Sequence, residues 1–242
     1  MFFRIGYLGD EFHGSQIQPD VRTVQGELIR VFRSLKWLTG PEEDQLLVLS
    51  SRTDAGVHVR VNGGIVDLDR TLWDALSPRK MIRAVDDRLD ANIAFLTVTE
   101  VDLDFNPRMA RHRVYRYRLE AMEFWVEPEL EAFKRWLKHF VGTYDARNFA
   151  RLEEGKNPVR TVLDAKPWMD GDRLMGFEIK GEAFLWNQVR RVANALFRLS
   201  VGELEEHQVV SAIQEPMTPV DFGVAPRSCL LYTSDAADES SS

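Results

Sequence analysis

The sequence predicts an α+β protein made of two successive halves, and three observations carry that prediction. Residues 23–38 and 128–141 hold apolar side chains at helical spacing. Short runs rich in β-branched and aromatic residues, such as NIAFLTVTEV at 92–101, read as strands. The order strand, helix, strands, helix, strand then occurs roughly twice over the 242 residues. The predicted halves are 1–104 and 105–228, split near Leu103 to Pro107, sharing a mostly antiparallel sheet flanked by helices. No sequence repeat accompanies the repeated order.

Taken in order, residues 2–8 read as a strand and GDEFHGSQIQPD as a loop. Thr23 can cap a helix reaching about Leu38, with Val24, Leu28, Val31, Phe32, Leu35 and Leu38 on its apolar face and Gly40-Pro41 to stop it. The apolar run Leu46, Leu47, Val48, Leu49 reads as the buried end of a strand, and VNGGIVDLD at 61–69 as a strand with a Gly-Gly break. Residues 78–89 look helical, 92–101 strand-like, and the Arg-rich stretch at 108–118 strand-like again. A helix from about Pro128 to Val141 rests on Leu130, Phe133, Leu137, Phe140 and Val141. Strands follow near 159–168 and 173–181, then a helix from about Leu185 to Leu199 that Gly202 closes. Residues 229–242 keep no sustained period, and their composition predicts an extended or disordered tail, except that Leu230 and Leu231 can complete a short strand on the sheet edge. The segment CLLYTSDAADE within it also resembles a translated sequencing adapter, which points to an artefactual end.

Composition narrows the function. With 44% hydrophobic and 29% charged residues, no apolar run of membrane-spanning length and no signal-peptide core at the start, a cytoplasmic protein is expected. Cys229 is the only cysteine, which excludes an intrachain disulfide and a thiolate zinc cluster. His13, His58, His112, His139 and His207 have no short ligand spacing, so no metal is expected. The net charge of -7 argues at first against nucleic acid, but a phosphate chain responds to the local field. Five Arg fall in RMARHRVYRYR, 108–118, with no acid among them. Interleaved with Tyr115 and Tyr117, that stripe suits RNA, since guanidinium groups fork onto phosphates and rings stack on unpaired bases. A strand with an Arg-rich exposed face explains it equally well.

The chemistry-bearing stretch is LSSRTDAGVHVR, 49–60, which sets Asp54 where a strand gives way to a loop, with Arg52 before it and His58 after. Carboxylates in such places commonly face water or close turns. A metal hydrolase using Asp54 and His58 lacks the third ligand that catalytic zinc usually takes.

With its neighbours, this stretch forms a wider pattern. RTDAGVH resembles the active-site loop of the TruA family of tRNA pseudouridine synthases, in its archaeal-like form. YLGDEFHGSQIQP with TVQGEL, FNPRMARHRVYRYRL, GEAFLWNQVRRVANALFRLSVGEL and TPVDFGVAPR resemble four further family segments, in family order. Together they span most of residues 3–227. The chain departs from the family at Ser15, where Trp is common, at Asn106-Pro107, where His-Ala is frequent, and at the final strand, where the tail stands.

The resemblance implies two ferredoxin-like α+β halves, the first carrying the catalytic loop. It implies a cofactor-free enzyme that isomerises uridine to pseudouridine in the anticodon stem-loop of tRNA, acting as a homodimer. Asp54 is then the catalytic carboxylate and Arg190 the cation that keeps it charged, in preference to Arg191, which points about 100° round the helix. Tyr115 would stack beneath the uracil, with Tyr117 on the same strand face as core. Arg52, His58 and Arg113 complete the substrate-binding set, His58 serving equally well as a loop support. The competing reading is an RNA-binding protein of the same fold without catalysis, against which the joint presence of Asp54, Tyr115 and Arg190 argues.

Overall fold

The computed structural model describes residues 1–39, 47–102 and 104–235, the last two by backbone alone. They form an α+β fold that divides into two compact units, Met1–Arg111 with Tyr232 onward, and His112–Leu231.

In the first unit, β1 (Phe2–Tyr7) is flanked by β4 (Ile93–Thr99) and β3 (His58–Ile65), both antiparallel to it. The short β2 (Val48–Leu49) pairs antiparallel with β3, and β9 (Leu230–Asp235), from Tyr232 onward, also lies beside β3. Helix α1 (Val24–Ser34) buries Val24, Leu28, Val31 and Phe32. Phe3 stacks on Phe95 at 5.4 Å and meets Phe32 edge-on at 6.0 Å. Burying each such ring is worth about 1.5–3 kcal/mol, so this cluster fixes α1 against the sheet. Two shorter helices, α2 (Arg70–Ala75) and α3 (Pro78–Asp86), follow β3; Met81 and Val85 of α3 are fully buried.

In the second unit the order is β5 (Arg113–Arg118), β8 (Arg173–Gly181), β7 (Val159–Asp170), β6 (Gly142–Asp145), with every neighbour antiparallel. Helix α4 (Leu130–Lys138) buries Phe133 and Leu137. Helix α5 (Gln188–Ser200) buries Val189, Val192, Ala193, Ala195, Leu196 and Leu199, and α6 (Glu206–Gln214) buries Val209 and Ala212. Phe149 stacks on Phe222 at 4.6 Å and meets Phe140 edge-on at 5.2 Å.

Several elements differ from the sequence expectation for identifiable reasons. Thr23 caps α1, its Oγ1 accepting from Gly26 N at 3.2 Å, but the helix stops at Ser34 rather than near Leu38. Lys36 takes a left-handed φ of 60°; Lys36 N donates to Arg33 O and Trp37 N to Phe32 O, both at 2.9 Å. The Phe32 and Trp37 rings stack at 5.9 Å across this closure, which completes a helix-ending motif without glycine. The expected stop at Gly40-Pro41 lies outside the described residues, as do Leu46 and Leu103. Gly63 and Gly64 do not break β3. A Cβ at Gly64 would stand 2.4 Å from Phe3 Cζ, and one at Gly63 2.7 Å from Ser50 Oγ, so these glycines make room for neighbouring side chains. Strand β6 and helices α2 and α6 were not anticipated. The tail was expected to be extended or poorly ordered, with Leu230 and Leu231 alone able to complete a short edge strand; the strand formed runs further, over Leu230–Asp235, with Tyr232 fully buried, and residues 236–242 lie outside the described residues.

Candidate functional site

The loop bearing Asp54 leaves β2, turns, and enters β3 at His58. Its first part prolongs the β2–β3 ladder by a substitution. Ser50 N donates to Gly63 O at 2.8 Å; one step on, the carboxamide of Asn62 stands in for backbone. Asn62 Oδ1 accepts from Ser51 N at 3.1 Å and Nδ2 donates to Ser51 O at 2.9 Å. Ser51 Oγ donates to the Tyr232 hydroxyl at 3.0 Å. Asn62 and Tyr232 are fully buried, so the loop starts from a fixed backbone.

Thr53, next to Asp54, is held on every polar group. Its N–H donates to Ser15 Oγ at 2.8 Å, its carbonyl accepts from Ser15 N at 3.0 Å, and its hydroxyl bonds to the Tyr7 hydroxyl at 2.7 Å. Burial pushes the Tyr7 phenol up to about 12, against hydrogen bonding from Thr53, Asn62 and Ser15, so it stays a neutral O–H group. The N-terminal loop reaches this far because two glycines permit close approach. A Cβ at Gly14, where φ is 100°, would stand 2.9 Å from Thr53 O, and one at Gly9 only 2.3 Å from Val57 O. Val57 N donates back to Asp54 O at 3.3 Å, and Gly56 between them has φ of 79°, which suits glycine.

Within this frame, Asp54 is exposed at the turn. Arg52 is also exposed, and its side chain has no hydrogen bond or ion pair among the described residues. His58 is half-buried; its Nδ1 accepts from Gly9 N at 3.3 Å and its Nε2 lies 3.7 Å from Asp10 Oδ1. That geometry makes His58 a tie between the N-terminal loop and the Asp54 loop.

The other predicted residues sit in the second unit. Tyr115 and Tyr117 share one face of β5. Tyr117 is core: fully buried, stacked on Phe177 at 6.1 Å, and donating to Pro226 O at 2.8 Å. Tyr115 is half-buried and meets Phe184 edge-on at 5.3 Å. Arg113 Nη1 donates to Glu182 O at 2.9 Å. Phe184 folds over the end of β8 because residue 181 is glycine; a Cβ there would meet its ring at 2.8 Å. Arg190, on the first turn of α5, is buried, with Nε donating to Ala225 O at 2.8 Å and Nη1 to Asn187 Oδ1 at 3.0 Å. Asn187 stands at the N-cap position of that helix with a left-handed φ of 62° and no side-chain capping bond. Arg191 faces elsewhere and pairs with Asp221 at 2.7 Å.

The Arg-rich stripe is partly neutralised in the fold. Arg116 pairs with Glu178 at 2.8 Å and lies over the Trp168 ring at 5.3 Å; Arg118 pairs with Glu120 at 2.8 Å. Glu178 also pairs with Lys166 at 3.0 Å, and these cations hold its carboxyl below the usual range despite burial. Sequence reasoning missed Tyr7, Ser15, Asn62 and Tyr232 around the loop, and Phe184 beside Tyr115. A buried-strand tyrosine and asparagine were the available signals, but neither names its partner.

Comparison with known proteins gives the lineage. A profile described as tRNA pseudouridine synthase matches residues 137–232. The chain is 34% identical over 218 residues to the tRNA pseudouridine synthase A of Archaeoglobus fulgidus, a match covering 90% of this chain and 74% of that protein. It is 35% identical over 200 residues to that of Methanosarcina barkeri, covering 82% and 70%. With that of Methanoculleus marisnigri it shares 33% over 234 residues, covering 96% and 81%. Among solved structures, a Cbf5-Nop10-Gar1 complex aligns with 95% of this chain and 57% of its own at 13% identity and a TM-score of 0.40. Sequence identity of this level, sustained over most of both partners, shows that the chain belongs to the TruA family of tRNA pseudouridine synthases.

Proposed function

We propose that the chain isomerises uridine to pseudouridine in the anticodon stem-loop of tRNA, with Asp54 as the catalytic carboxylate. The observation that carries this reading is an exposed carboxylate on a loop whose neighbouring backbone is fixed from beneath by buried side chains. The reaction breaks the C1'–N1 bond, turns the uracil, joins C5 to C1', and exchanges a proton at C5 for one at N1. Electrons and atoms balance within the nucleotide, so the chemistry calls for no cofactor. It needs a carboxylate that attacks the ribose or the uracil, or removes a ribose proton, and a pocket that keeps the detached base in place.

Tyr115, Arg190, Arg52, His58 and Arg113 are the proposed substrate-contacting residues. Half-burial of the Tyr115 ring against Phe184 leaves a partly accessible aromatic surface, suited to stacking on a base. Extruding the uridine costs a few kcal/mol; Arg52, exposed and without an ion pair among the described residues, supplies a positive charge suited to holding the displaced backbone. A homodimer, a cytoplasmic setting and two ferredoxin-like halves go with the same reading. For the first half, the order strand, helix, two strands, two helices, strand, with β1 between β4 and β3 and β2 outside β3, supports it.

The test is Asp54→Asn, which keeps size and removes the anionic oxygens. Turnover should vanish while tRNA affinity, set mainly by phosphate contacts, stays within a few fold. Retained turnover overturns the role of Asp54. Pseudouridine mapped only outside the anticodon stem-loop overturns the substrate position.

A further inference from the structure

We propose that Tyr7 and Asn62 are positioning residues, whose buried polar groups hold Thr53 and Ser51 and thereby aim the carboxylate of Asp54. The inference rests on the proposed role of Asp54 and adds to it the device that keeps the carboxylate in place.

Both residues sit where the fold alone favours apolar side chains. Tyr7 is 4% exposed and Asn62 fully buried, each on a strand of the first unit's sheet, with Asn62 opposite Ile5. A buried hydroxyl or carboxamide costs stability unless it is hydrogen-bonded. Phe at position 7 and an aliphatic residue at 62 would pack as well without that liability. Both reach into the loop: the Tyr7 hydroxyl bonds to that of Thr53, and the Asn62 carboxamide takes both backbone polar groups of Ser51. Tyr7 and Thr53 are 46 residues apart, so their contact exists only in the folded unit.

The loop has little freedom left once these bonds form. Thr53 has its N–H and C=O tied to Ser15 and its hydroxyl tied to Tyr7, so a change in its orientation must break three hydrogen bonds. Ser51 has its N–H and C=O tied to Asn62. The two clamps bracket Arg52 and end one residue before Asp54, so the Asp54 side chain springs from a backbone fixed on its N-terminal side. After it, Gly56 turns the chain and Val57 N returns to Asp54 O at 3.3 Å. Such a frame serves a carboxylate that must meet a reacting carbon at a set distance, for which misplacement by about 1 Å costs on the order of a hundredfold in rate.

The experiment is a double-mutant cycle on turnover with full-length protein and tRNA. Tyr7→Phe and Thr53→Val each delete one hydroxyl of the pair and conserve shape. Each should lower kcat by about ten- to a hundredfold while KM and tRNA Kd stay within about twofold. The double variant should be no slower than the slower single, because both changes remove the same bond. Asn62→Ala should show the same split between kcat and KM. A purely packing role predicts instead unchanged kcat in the Tyr7→Phe protein, and that result overturns the proposal; so do losses that multiply in the double variant, or losses that appear in Kd alone. Asp54→Asn in the same assay separates the two levels. If it retains turnover, the reading of Asp54 fails; if it is inactive while Tyr7→Phe has wild-type kcat, only the positioning role fails.

Discussion

Tyr232 offers the sharpest test of whether the end of the described chain is part of the folded first unit. Its ring is fully buried, and its hydroxyl accepts from Ser51 Oγ at 3.0 Å. Truncating a buried aromatic ring to alanine costs about 3–5 kcal/mol in comparable cores. Losing the acceptor for Ser51 adds about 1 kcal/mol. At about 2–4 °C per kcal/mol for a chain of this size, Tyr232→Ala should melt on the order of 8–24 °C below the wild type. Tyr232→Phe keeps the ring and loses only the hydrogen bond, so its Tm should fall by about 2–4 °C. Calorimetry, with far-ultraviolet dichroism on the same samples, reads both values. If the alanine variant melts within about 2 °C of wild type, or the two variants coincide, the strand contributes no burial to the fold in solution and the reasoning is wrong.

Two further outcomes follow from charge. Affinity for tRNA should fall steeply with salt; reversing Arg52 or Arg111, exposed and without ion pairs among the described residues, should reduce the magnitude of that slope by about one per lost phosphate contact. Arg116→Glu should leave the slope unchanged, because Arg116 is engaged by Glu178; an equal change there would return the basic strand to the RNA surface. The second outcome concerns acid stability. Arg135, through a forked contact at 3.0–3.1 Å, and then His139 at 2.6 Å hold the Glu206 carboxyl down at about 2, below its ordinary 4.5. A lowered folded-state value means stability present above the unfolded pKa and lost as pH falls through the folded one. Asp145, Glu178 and Asp221 are lowered too, so the quantity to measure is the Tm difference between wild type and Glu206→Gln. It should shrink between about pH 4.5 and pH 2, and a constant difference across that window refutes the assignment.

The parts of this protein legible in its sequence are those decided locally. The Thr23 cap, the apolar face of α1, the strands at 93–99 and 173–181 and the helix after Leu185 follow from spacing and from residues within a turn of one another. What escaped was decided at a distance or by an unusual conformation. Lys36 ends α1 in a left-handed state that glycine would have announced, and it does so because Phe32 and Trp37 stack across the turn. Gly63-Gly64 reads as a break when only the sequence is considered, whereas the rings of Phe2 and Phe3 on another strand require the missing side chains. Helix α6 had a signal of its own, Gln208 three residues after Glu205, whose Oε1 accepts from Glu205 N at 2.8 Å.

The same division runs through the candidate site. Asp54 stood out because its loop is a compact stretch of small and charged residues, while the groups that hold that loop lie far along the chain and look like ordinary strand core. Tyr7 is 46 residues from Thr53, and Ser15 is 38. The arginine stripe shows the converse error. Five arginines without an acid at 108–118 imply a strongly positive strand only if no other segment supplies acids. Antiparallel pairing brings Glu178 opposite Arg116, and Glu120 turns back onto Arg118, so two of those charges are spent inside the fold. Charge counted along a strand therefore measures what its neighbours must neutralise. The positive surface available to a phosphate chain is what remains afterwards, and in the first unit that includes Arg52, two residues from the carboxylate assigned to the chemistry.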